Sequence, residues 1–97
     1  MDYTQNRVLE NEHLYAEVQD RTTLAYLDML NAMRFDYEEL GEEEKCLNIC
    51  DEIIKLILTS NFERNNIDII LLAAYDTKAR LGDFRAYCIA LEWNRPI

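Results

Sequence analysis

At 97 residues and 49% apolar side chains, the chain is one domain with enough hydrocarbon for a single modest core. Two glycines and one proline leave little turn chemistry for hairpins, so helices joined by short polar turns are expected. The formal charge is −9 and uneven, with 14 acidic and 4 basic residues through position 52 against 5 and 6 after it; such a field excludes direct binding to nucleic acid or to anionic membranes.

The first twelve residues are polar, and 1–10 are expected to be flexible, with a weak helical pattern from Val8 through Tyr15 and Val18. Asp20 is a candidate N-cap for the next helix, unless the chain runs through it as one long helix. Leu24, Leu27, Leu30, Ala32, Met33 and Tyr37 form an apolar stripe that predicts a helix ending near Leu40, with Gly41 as its C-terminal cap. Glu42, Glu43 and Glu44 then occupy the first turn of another helix, where carboxylates meet the positive end of the helix dipole. Its buried face is predicted to carry Cys46, Leu47, Cys50, Ile53, Ile54, Ile57 and Leu58, with Asp51, Glu52 and Lys55 in water. Ser60, Asn61, Asn65 and Asn66 bracket a turn region. A third helix over 66–81 is apolar nearly all round, which predicts a central position. Gly82 stops it, and Asp83 caps a last helix carrying Phe84, Tyr87, Cys88, Leu91 and Trp93, which Pro96 ends. The expected fold is all-α, a small bundle of about four helices in one domain over 1–97.

The chain contains no Gly-rich phosphate loop and no GxSxG, HExxH or CxxC motif, so no catalytic residue is assigned and no enzymatic activity of its own is expected. The single histidine, His13, lies in a polar segment and is expected in solvent. Cys46, Cys50 and Cys88 are odd in number, which rules out a closed disulfide framework. Cys46 and Cys50 share a helix face without the further ligands that zinc requires, so buried thiols are expected, with no metal and no cofactor. No apolar run approaches the roughly 20 residues that span a bilayer, and Met1 is followed by neither a basic nor an apolar leader. A cytoplasmic location is expected.

Asp36, Glu38, Glu39, Glu42, Glu43 and Glu44 are the densest charge feature. They read either as a DNA-like surface for the basic groove of a nucleic-acid enzyme or as a helix end followed by a favourable helix start. Trp93, within five residues of the end, either closes the core or leaves an adhesive patch, for instance the seam of a helical homodimer.

Asp83, Phe84, Tyr87, Glu92, Asn94, Arg95 and Pro96 form a pattern covering about a sixth of the chain. It resembles part of the N-terminal region of some bacteriophage terminase large subunits, where a helix of this type precedes a basic segment and then the packaging ATPase. The resemblance implies a helical module that assembles with other DNA-packaging components in a bacterial host cell. It carries over no ATP-binding or nuclease residue, because the chain has none of those motifs. Ala74, Tyr75, Leu81, Gly82, Asp83 and Phe84 are also similar to the inter-helix turn of a tetratricopeptide hairpin, though no 34-residue repeat is visible. The leading expectation is therefore a packaging-related interaction module, and the alternative is a stand-alone acidic inhibitor of a nucleic-acid enzyme.

Overall fold

The computed structural model describes residues 2–82, so the expected last helix, with Asp83, Trp93 and Arg95, lies outside the described residues. Within them the chain forms four α-helices: α1 (Tyr3–Glu17), α2 (Leu24–Leu40), α3 (Glu43–Thr59) and α4 (Arg64–Arg80).

Local chemistry sets each boundary. The Asp2 carboxylate accepts the Gln5 backbone N–H at 2.8 Å, while Gln5 Oε1 accepts the Asp2 N–H at 3.2 Å. This reciprocal cap starts α1 at Tyr3, five residues before the apolar pattern becomes readable at Val8. Nor does α1 run on into α2. Val18 is extended, and Asp20 Oδ1 accepts both the backbone N–H and the hydroxyl of Thr22, at 3.1 and 2.6 Å. The cap of α2 is Thr23, whose hydroxyl oxygen accepts the Tyr26 N–H at 3.0 Å. Gly41 ends α2 as expected, with φ +75°. Its left-handed turn lets the Glu42 N–H reach the Tyr37 carbonyl at 2.9 Å. Glu42 is the N-cap residue of α3, and Glu43 and Glu44 fill its first turn. After α4, Gly82 again takes a positive φ, +101°.

Tyr26, Leu27, Leu30, Met33 and Tyr37 point inward from α2. Leu24 is exposed, and so is Ala32, because two residues of helix rotate it about 200° from Leu30. On α3 the buried line is Cys46, Ile49, Cys50, Ile53 and Ile57. Leu47 and Ile54 flank it half-buried, and Leu58 faces solvent. From α4, Ile67, Leu71, Ala74 and Tyr75 enter the core, while Ile69 is 73% exposed.

The expected centrality of α4 is corrected. It packs mainly on α3 and to a lesser extent on α2, whereas α2 touches all three other helices. The apolar residues of α4 exceed what its inward stripe can use. Helix α1 stands at the other extreme, since Val8 is its one buried apolar residue.

Candidate interaction site

With so little hydrocarbon buried, α1 is attached largely through hydrogen bonds. Asp36, fully buried on α2, accepts two from Arg7 of α1: Nε to Oδ2 at 2.8 Å and Nη2 to Oδ1. This forked pairing satisfies a carboxylate that would be costly to bury alone, and it pushes the pKa of Arg7 above its ordinary value. Farther along, Glu52 of α3 accepts the hydroxyls of Tyr15, at 2.6 Å, and of Tyr26. Arg21 donates to the Tyr26 hydroxyl and to the Tyr15 carbonyl, both at 2.8 Å. Its guanidinium lies 4.6 and 5.4 Å from the centroids of those two stacked rings. The bond to Glu52, then burial, raises the Tyr15 pKa; for Tyr26 burial comes first.

Polar ties also bind α4 to α2. Buried Arg34 donates through Nη1 to the buried Thr77 hydroxyl at 2.8 Å and through Nε to Asn31 at 3.1 Å. Arg80 donates to Glu38 Oε1 at 2.6 Å, while Glu38 Oε2 is buried and accepts no hydrogen bond among the described residues.

These ties divide the predicted acidic surface. Asp36 is fully buried against Arg7 and so is not part of any surface, and Glu38 is half-buried and engaged with Arg80. The other four, Glu39, Glu42, Glu43 and Glu44, are exposed at the elbow where α2 turns into α3, and none forms an ion pair among the described residues. Sequence pattern could not make this division, because charge density says nothing of a base placed 29 residues away.

Beside that elbow lies a groove the sequence reading did not identify. Gln5, Val8, Leu9 and Glu12, at helical spacing along α1, face Tyr37, Leu40, Glu42 and Lys45 across a hollow of about 350 Å³. A second hollow of about 320 Å³ continues past Glu12 towards Tyr15, Met33 and Ile49. Three residues line both. The Tyr37 hydroxyl donates to Glu12 at 2.8 Å, and Lys45 Nζ sits 3.5 Å from the same carboxylate and 5.8 Å from the Tyr37 ring centroid. Burial, then this bond to Glu12, raises the Tyr37 pKa. The sequence signal for the groove is the 5, 8, 9, 12 spacing, in a segment whose polar composition predicts looseness.

Cys46 and Cys50 are both fully buried, and burial pushes the Cys50 thiol up to about 12 and the Cys46 thiol upward as well. Two neutral, enclosed thiols are poor nucleophiles at physiological pH. His13 is exposed on α1, 3.3 Å from Glu17. Among the described residues no three His, Cys, Asp or Glu side chains converge to hold a metal ion, and no helix is long and apolar enough to cross a membrane.

In comparisons with family models, curated proteins and solved structures, nothing matches this chain.

Proposed function

We propose that the chain is a non-catalytic helical module that binds a protein partner through the acidic elbow between α2 and α3. The observation that carries this reading is the exposed group Glu39, Glu42, Glu43 and Glu44 beside a groove lined in part by Val8, Leu9 and Leu40. Carboxylates in solvent cost nothing to desolvate until a partner arrives, and they accelerate encounter with a basic surface. The pattern at 83–96 supports a setting in the bacterial cytoplasm among phage DNA-packaging components. The inhibitor reading would use the same four carboxylates. It is the weaker of the two, because Asp36 and Glu38, a third of the predicted mimic, are spent on internal ties.

The test compares capture from phage-infected lysate by the wild-type chain and by a variant with all four elbow glutamates changed to Gln. Neutral Gln avoids placing cations at the positive end of α3. Capture of a specific protein by the wild type, weakened by salt and lost in the folded variant, is the expected result. Undiminished capture by the variant refutes the elbow as the contact. Recovery of a nuclease or other DNA-binding enzyme selects the inhibitor reading, and recovery of a packaging component selects the first.

A further inference from the structure

The two hollows share the lining residues Glu12, Tyr37 and Lys45, and together they run along α1 from Gln5 to Tyr15. Ten residues of helix rise about 15 Å, close to three turns, so the track matches the length over which a short amphipathic helix presents its apolar anchors. Its walls mix apolar with polar side chains. Val8, Leu9 and Leu40 line the outer hollow, with Leu9 52% exposed, and Met33 and Ile49 line the inner one.

Charge decides what can enter. The half of the chain that builds the groove carries 14 acidic and 4 basic residues, so phosphate, an anionic membrane or the same face of a second copy would be repelled. At the midpoint, Lys45 shows how a cation is received: its ammonium lies between the Glu12 carboxylate and the Tyr37 ring. That residue is the chain's own, half-exposed and carried on the first turn of α3.

We propose that this groove takes a basic amphipathic helix of the partner protein, with its apolar side on Leu9 and Leu40 and a Lys or Arg displacing Lys45 from Glu12 and Tyr37. The inference rests on the elbow reading above and adds the partner's chemistry and its seat.

The probe is a fluorescein-labelled 15-residue peptide of leucine and lysine with leucines at helical i, i+3, i+4, i+7 spacing, titrated against the full chain and followed by anisotropy. A second peptide of the same composition has its leucines scrambled. The patterned peptide is expected to bind more tightly than the scrambled one and to weaken as salt rises. Leu9→Gln should weaken it tenfold or more, and Leu14→Gln, the same change at an equally exposed leucine of α1 that lines neither hollow, should alter it less than twofold. Lys45→Gln should tighten it several-fold, because the competing cation is gone; a merely structural role for Lys45 would not produce a gain. Equal binding of both peptides, no effect of Leu9→Gln, or weaker binding by Lys45→Gln would overturn the proposal. Silent groove variants combined with lysate capture that the elbow glutamates control would sink the groove alone. Loss of both would sink the elbow reading with it.

Discussion

Ile53 and Ile54 are adjacent and chemically identical, yet the structure gives them different surroundings. Ile53 is fully buried between Cys50 and Ile57 on the inward line of α3, whereas Ile54 is half-buried at its flank. Changing either to Ala removes three carbons. At Ile53 the transfer term is about 2.4 kcal/mol, from ~0.8 kcal/mol per methylene. An unrelaxed void adds roughly 1 kcal/mol more, for a loss of about 3–4 kcal/mol. At Ile54 roughly half the transfer term applies and no closed cavity forms, so about 1 kcal/mol is expected. The gain in helix propensity from Ile to Ala is the same at both sites and cancels in the comparison. Urea unfolding followed by far-UV circular dichroism measures both losses, with unchanged slopes confirming that each variant unfolds from the same compact state. Against a total of roughly 5–15 kcal/mol, both variants remain folded enough to measure. Equal losses, or a larger loss at Ile54, would mean that α3 is rotated from the orientation described.

Further outcomes follow from the same packing. Leu71→Ala on α4 should cost about 2–5 kcal/mol, while Ile69→Ala should cost less than about half a kcal/mol by the same urea assay, because Leu71 is fully buried and Ile69 is 73% exposed. Asp36→Ala, which strands Arg7 beside an emptied site, should lower the thermal midpoint by several degrees in differential scanning fluorimetry; Glu39→Ala should leave it nearly unchanged. Glu52→Gln weakens the acceptor shared by Tyr15 and Tyr26, and hydrogen exchange should show amides of α1 opening faster while those of α3 hold. Cys50 has its pKa raised from 9.0 to about 12, so the fold favours its protonated form; this stabilisation is whole below pH 9 and is lost as the pH climbs to about 12. The tyrosines Tyr26 and Tyr37, also raised, act with the same sign above pH 10. Urea midpoints should therefore fall through that alkaline range, and less steeply in Cys50→Ala than in the wild type.

Much of the helical framework was readable because its signals are local. Gly41 announced the end of α2, and Glu43 and Glu44 the start of α3, through the dipole and capping chemistry of adjacent residues. The cap formed by Asp2 and Gln5 was equally local, but the polar composition of 1–12 concealed the helix behind it. The rest depends on partners distant in sequence. Asp36 looked like one more surface acid until Arg7 met it, and Glu38 until Arg80 did. Periodicity could not separate Ile53 from Ile54, since both fall within a stripe of that width. It also could not show that α4, the more apolar helix, would sit at the side while α2 took the centre. The groove is a tertiary feature, made where the face of α1 stands off from the α2–α3 elbow.

The claim that the elbow is the contact surface is tested most directly by carbodiimide cross-linking of the captured complex, read by mass spectrometry. The reagent joins a carboxylate to an amine in contact with it. Links from Glu39, Glu42, Glu43 or Glu44 to lysines of the partner are the expected result. Links confined to Glu63, Asp68 or Asp76, on or beside α4, would contradict the account and move the interface to the opposite end of the sequence's charge gradient.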